Sequence, residues 1–232
     1  MSTIADNIAL VGARIRAAAQ ASQRDVNSIH LLAVSKTKPA AALREAHAAG
    51  VRDFGENYLQ EALGKQLELA DLPLCWHFIG PIQSNKTRPI AEHFDWVHSV
   101  DRLKIAQRLS EQRPEHLPPL NICIQVNVSG EASKSGCTPA DLPALASAIS
   151  ALPRLQLRGL MAIPEPTEER AAQDAAFAAV QALNNHLQQR LNLPLDTLSM
   201  GMSHDLEAAI AQGATWVRIG TALFGARDYG QP

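Results

Sequence analysis

The feature that most limits what this chain can fold into is an alternation. Short runs rich in β-branched residues occur at 29–34, 51–54, 76–79, 96–100, 120–128, 155–162, 197–199 and 215–219. Between most of them lie Ala-, Leu- and Gln-rich stretches at 40–49, 58–69, 102–112, 140–150, 168–191 and 204–212. Strand, helix and strand in succession is the pattern of a parallel sheet with crossover helices. Eight strands with intervening helices in 232 residues predict a (β/α)8 TIM barrel, a fold that typically takes about 250. The competing arrangement is an open doubly wound sheet, whose dinucleotide-binding form carries G-x-G-x-x-G after its first strand. Here the first strand is followed by Ser35-Lys36-Thr37-Lys38-Pro39, so the barrel is preferred.

Two helices frame this core pattern. In the longest, Phe177, Val180, Leu183, Leu187 and Leu191 recur at steps of three and four, and Thr167 ahead of Glu168 and Glu169 predicts a hydroxyl-capped start. At the front, Ile4, Ile8, Val11 and Ile15 form an apolar stripe ahead of the first strand, whereas only 11 residues follow Thr221. The last helix of the barrel is therefore expected to be stunted, with the extra N-terminal helix covering part of the gap. No repeat, low-complexity tract or linker divides the chain, and the Pro-containing stretches 114–119 and 164–166 read as loops, so residues 1–232 are expected to form a single domain.

Composition narrows the function classes. Hydrophobic residues are 46% and charged residues 19%, enough for a large core, but aromatics are only 4%, so that core must be mostly aliphatic. Lys plus Arg is 21 against 23 acids, a net charge of −2 with no positive field for a nucleic-acid backbone. The sequence has neither an apolar run of about 18 residues nor a basic, then apolar, start, which points to a cytoplasmic protein without a membrane segment. Cys75, Cys123 and Cys137 lack C-x-x-C spacing and read as reduced thiols, and His93 and His98 lack carboxylates at metal-site spacing, so no metal is expected. Tyr58 and Tyr229 are the only phenols.

In a barrel, ligands sit at the C-terminal ends of the strands. The first strand ends in Lys36 and Lys38. Partial desolvation near other cations lowers a lysine pKa and permits a Schiff base, although most strand-end lysines are solvated surface charges. Lys38 precedes Pro39 further along the loop, which favours Lys36. After the seventh run, Gly201 allows close backbone approach and Ser203 is read at a helix start, equipment for a phosphate or an ordinary cap. After the eighth, Gly220 and Thr221 offer an amide and a hydroxyl where this fold usually binds phosphate. Arg218, between Val217 and Ile219, needs a partner, either a carboxylate or the ligand. A guanidinium beside a pyridine nitrogen keeps that nitrogen unprotonated. Asn57 and His77 are placed to hydrogen-bond or flank a ring, and the small, polar loop 129–136 reads as either a lid or plain disorder. No Ser/His/Asp order or G-x-S-x-G elbow supports a hydrolase.

Seven segments in order carry a resemblance that spans nearly the whole chain: Ala33-Val34-Ser35-Lys36-Thr37-Lys38, Phe54-Gly55-Glu56-Asn57, His77-Phe78-Ile79-Gly80, Gln125-Val126-Asn127-Val128, Gly159-Leu160-Met161, Leu198-Ser199-Met200-Gly201-Met202-Ser203 and Val217-Arg218-Ile219-Gly220. They resemble the pyridoxal phosphate homeostasis proteins, once described as proline synthetase co-transcribed proteins. That family is similar to the barrel domain of alanine racemase and eukaryotic ornithine decarboxylase, the fold-type III pyridoxal phosphate (PLP) group. The resemblance implies that Lys36 holds pyridoxal 5'-phosphate covalently as an aldimine, that Ser203, Gly220 and Thr221 hold its phosphate, that Asn57 and Met200 lie near it, and that Arg218 faces the pyridine nitrogen.

The racemases resembled here take a second base from a tyrosine associated with a β-rich second domain and a partner subunit. This sequence stops at Pro232, and neither Tyr58 nor Tyr229 occupies a position assignable to that base. The resemblance therefore implies a non-catalytic, monomeric binding protein that keeps PLP and amino and keto acids in balance, with PLP-dependent apo-enzymes as the partners it would serve. The alternatives are a PLP-dependent amino acid racemase and a class I aldolase acting through Lys36.

Overall fold

The computed structural model describes residues 2–130 and 135–225. The strands are β1 (His30–Val34), β2 (Asp53–Glu56), β3 (Cys75–Phe78), β4 (Trp96–Val100), β5 (Leu120–Gln125), β6 (Leu155–Met161), β7 (Thr197–Ser199) and β8 (Trp216–Ile219). Each is parallel to the next, and β8 returns to β1, where Ala33 faces Ile219 in register, so the sheet closes into a barrel. The open-sheet alternative is excluded. The second strand lies two residues later than the sequence suggested, and the fifth ends at Gln125, beyond which a single bridge joins Val126 to Cys137.

Around the barrel run α1 (Ile4–Ala21), α2 (Ala40–Ala48), α3 (Leu59–Glu68), α4 (Thr87–His93), α5 (Leu103–Gln112), α6 (Leu142–Ser150), α7 (Arg170–Leu191), α8 (Leu206–Ala211) and α9 (Thr221–Phe224). Helix α4 was not expected. It contains Pro89 in its first turn, where a missing N–H breaks no intrahelical bond, and it buries Thr87, Ile90 and Ala91 on one side. Helix α7 starts at Arg170 rather than directly after Thr167, whose hydroxyl accepts from the Glu169 N–H at 3.2 Å just outside the helix.

Strand alternation divides the interior in two. Outward residues such as Phe54, Val97 and Ile122 pack under the helices with Leu43, Ile90 and Leu109 in one aliphatic layer. Inward residues Leu32, Trp96, Cys123, Met161 and Trp216 fill the barrel together with the buried polar side chains of His77, His98, Ser199 and Arg218. His77 stacks on Trp96 with centroids 5.5 Å apart, and Trp216 meets His77 edge-on at 4.8 Å. A barrel interior of this fold is ordinarily dominated by Val, Ile and Leu, so this one is unusually aromatic and polar.

Helix α1 opens with a capping box between Thr3 and Asp6 and buries Val11, Ile15, Ala18 and Ala19. It packs on α2, α8 and α9. Asn7 donates to the Leu223 carbonyl at 2.8 Å, and Arg24 donates to the carbonyls of Ile210 and Ala214 at 2.8 and 2.7 Å. Among the described residues the helix after β8 is the four-residue α9, short as expected, and α1 packs beside it. No helix among the described residues is long and apolar enough to cross a membrane.

Candidate functional site

A cleft of about 260 Å³ opens at the C-terminal ends of the strands. Lys36 and Lys38 reach it from the β1 loop, Asn57 from the β2 loop, Ser203 from the turn after β7, and Arg218, Gly220 and Thr221 from β8 and its end. Six of the seven anticipated residues therefore share one cavity. Met200 does not line it: its side chain is fully buried in the aliphatic core beneath, and Met202 lines the cleft instead. His77 is not a flanking residue either, because it points into the barrel and hydrogen-bonds other buried groups. Tyr58 is exposed at the start of α3, while Tyr229 and residues 131–134 of the suggested lid lie outside the described residues.

Lys36 continues the inward parity of Leu32 and Val34 and is half-buried. The next residue, Thr37, has φ +65°, a left-handed conformation that a β-branched residue adopts only when its surroundings impose it. The cause is a charge network that sequence reasoning missed. The Thr37 N–H donates to Glu61 Oε1 at 2.6 Å. Glu61 also receives the Lys65 ammonium, which donates to the Ser35 carbonyl at 2.7 Å and to Glu56 Oε1 at 2.8 Å. Ser35 Oγ donates to the same Glu56 oxygen. Glu56 is fully buried and Lys65 nearly so. Burial pushes the Glu56 carboxyl above its ordinary pKa, with Lys65 and Ser35 opposing the rise. The signal available in the sequence was an acid inside the strand pattern of Phe54-Gly55-Glu56 and a lysine four residues after Glu61.

The turn after β7 differs from expectation. Helix α8 begins at Leu206, so Ser203 precedes it by a turn, and Asp205 organises the segment by accepting from the Met202 N–H at 2.6 Å. Gly201 has φ +98°, and a Cβ there would lie 2.6 Å from Ala209 Cβ, so only glycine lets the turn lie against α8. From α1, Arg14 donates to the Ser203 carbonyl at 2.9 Å and pairs with Glu207, tying the N-terminal helix to the site.

Arg218 is 5% exposed and donates to Ser199 Oγ and the Ala162 carbonyl, each at 2.9 Å. Of the two partners the sequence left open, a carboxylate makes no direct contact with it among the described residues; Asp205 acts on it from farther away. Burial pushes the guanidinium down to about 10, against the pull of Asp205, which leaves it charged at neutral pH. Asn57 Oδ1 is buried without a hydrogen-bond partner beside the same cleft, and Gly80 makes room for the Asn57 backbone, since a Cβ there would sit 2.6 Å from the main-chain carbonyl oxygen of Asn57. At the opposite end of the barrel, Asp53, Cys75 and His77 place their side-chain ligand atoms within 4.8 Å of one another, a grouping the sequence did not suggest.

An amine, a fixed guanidinium, hydroxyl and amide donors and an unsatisfied amide oxygen around one cavity fit a small anionic ligand that also offers a hydrogen-bond donor. The closed barrel and its cleft define the class: a model of the alanine racemase N-terminal domain matches residues 10–228. The pyridoxal phosphate homeostasis protein of Pseudomonas aeruginosa is 80% identical over 232 residues, covering 100% of this chain and 99% of the relative. That of Escherichia coli strain K12 is 54% identical over 239 residues, covering 99% of each. The solved structure of PipY from Synechococcus elongatus with PLP bound superposes with a TM-score of 0.83 at 46% identity, over 96% of this chain and 100% of that one. Alanine racemase from Corynebacterium glutamicum shares the fold at 19% identity and a TM-score of 0.69, over 99% of this chain but 63% of its own. The chain belongs to the pyridoxal phosphate homeostasis protein family.

Proposed function

We propose that this protein binds pyridoxal 5'-phosphate in the barrel cleft, covalently through the Lys36 amine, and stores and releases it without turning over a substrate. The observation that carries this reading is the meeting of Lys36, Arg218 and the unsatisfied Asn57 Oδ1 at a single cavity. When bound, the cofactor supplies an electron sink. Ser203, Gly220 and Thr221 would hold its phosphate, and Asn57 would hydrogen-bond it. Met200 would act from below, packing under the turn that presents Ser203. Arg218 only donates, so facing the ring nitrogen it would keep that nitrogen unprotonated and the sink weak, which suits a carrier better than a catalyst. The relatives' names as homeostasis proteins support the same choice. On this reading the protein is a cytoplasmic monomer that serves PLP-dependent apo-enzymes, consistent with three free thiols.

One observation favours a racemase as second reading: His204 lines the cleft that Lys36 lines, so two bases are available there. Visible absorption of the protein mixed with PLP separates the cases. Lys36→Ala is expected to abolish the long-wavelength band and Lys38→Ala to keep it, with borohydride reduction followed by peptide mass analysis locating the adduct on Lys36. A band that survives Lys36→Ala overturns the attachment. Incubation of the loaded protein with single-enantiomer amino acids is expected to leave them unracemised; sustained turnover at enzyme-like rates favours the second reading.

A further inference from the structure

Below the cleft, four buried or half-buried side chains join Arg218 to the far end of the barrel. Arg218 Nη1 lies 2.9 Å from Ser199 Oγ, Ser199 Oγ 2.7 Å from His98 Nδ1, His98 Nε2 2.8 Å from His77 Nδ1, and His77 Nε2 3.0 Å from Asp53 Oδ1. The groups come from β8, β7, β4, β3 and β2. Arg218 stands at the C-terminal mouth and Asp53 is the first residue of its strand, so the series crosses the barrel interior.

Its direction follows from one constraint. A guanidinium only donates. Ser199 Oγ accepts from Arg218 and must send its own proton on, and His98 Nδ1 is there to receive it. A neutral His98 then carries its proton on Nε2 and donates to His77 Nδ1. His77 in turn carries its proton on Nε2 and donates to the Asp53 carboxylate, an acceptor only. Donor chemistry at one end and acceptor chemistry at the other specify both tautomers, and Cys75 Sγ, 3.4 Å from His77 Nε2, is compatible with them as a weak acceptor. Burial favours neutral rings at both positions.

We propose that Ser199, His98, His77 and Asp53 form a one-directional hydrogen-bond relay that fixes the Arg218 guanidinium at the cleft, making His98 and His77 positioning residues for the bound ring. The inference rests on the cofactor reading above for its consequence, but its geometry is independent of it. Reversing either tautomer leaves Ser199 Oγ with two donors and no acceptor for its proton, and one of the two anchors of Arg218 is weakened.

The first test needs no variant. Nitrogen-15 NMR of histidine-labelled protein without cofactor, at neutral pH, is expected to show both buried rings neutral with the proton on Nε2; an Nδ1–H tautomer or a charged ring at either position overturns the relay. The second uses PLP titration. His98→Phe is expected to keep the Lys36-dependent band but shift its maximum and weaken affinity about tenfold, the scale of one hydrogen bond to a charged group. His98→Asn, whose Oδ1 replaces the Nδ1 acceptor, is expected to restore most of that affinity. Wild-type affinity in both variants, or equal impairment in both, refutes positioning. Should the unaltered protein give no Lys36-dependent band, the cofactor reading falls by itself, and the histidine tautomers still decide the relay.

Discussion

Replacing Lys65 by Met isolates the charge network beneath the cleft. Lys65 and Glu56 are 5% and 0% exposed, and their charged atoms are 2.8 Å apart. Removing the ammonium leaves a buried carboxylate with only Ser35 for support, a loss of about 3–5 kcal/mol when one partner of a buried pair is deleted. In a chain of this size that corresponds to a fall in melting temperature of about 10 °C. The deficit must depend on pH with a definite sign. Glu56 already has a raised folded pKa, and loss of Lys65 raises it further. A carboxyl whose folded pKa exceeds its unfolded value costs nothing while protonated in both states. It costs progressively more as pH climbs from the unfolded pKa to the folded one. The variant should therefore lie nearest the wild type around pH 4.5 and fall furthest behind near pH 8. Urea denaturation at both values measures this, and Glu56→Gln combined with Lys65→Met should recover most of the loss at pH 8, since no charge is then stranded. A pH-independent deficit, or a double variant worse than Lys65→Met alone, would refute the reasoning.

Three further outcomes are expected. Gly80→Ala drives a methyl to 2.6 Å from the Asn57 carbonyl, so it should destabilise by about 1–3 kcal/mol and weaken PLP binding, read by thermal melting and titration. Arg14→Ala removes a partly exposed pair with Glu207 whose stability contribution is about 1 kcal/mol or less, yet it frees the Ser203 carbonyl; titration should show several-fold weaker PLP binding while the melting temperature barely moves. Cys123, fully buried with its thiol pushed up to about 12 by burial, should resist iodoacetamide at pH 8 in the native protein and react after denaturation, as mass analysis of the peptides would show.

The barrel was legible because each strand and most helices carry their own periodicity, and the cleft because strand ends are where this fold presents side chains. Parity within one strand could not choose between Lys36 and Lys38, and both line the cavity. Ser203 was misread as a helix start because a serine ahead of an apolar run looks like a cap; Asp205, two residues on, occupies that position. Helix α4 was hidden by Pro89, since a proline is tolerated in a first turn yet reads as a breaker. The Arg218 relay was out of reach for a different reason. His98 and Ser199 are 101 residues apart and meet only once the sheet closes. No local pattern reports such a contact, although a histidine in each of two strands and an arginine in a third were visible as misfits in an apolar interior.

The stitching of α1 to the far end of the sequence sets an order of events during synthesis. Arg14 waits 189 residues for Ser203, Asn7 waits 216 for Leu223, and β1 waits for β8. At about 5–20 residues per second, roughly 200 residues take about 10–40 s. For that interval α1 has α2 beside it but lacks α8 and α9, and the β1 edge that faces β8 stays unpaired. Among the cleft residues named above, Arg218, Gly220 and Thr221 are made last, so the cleft is complete only when the barrel beneath it can close.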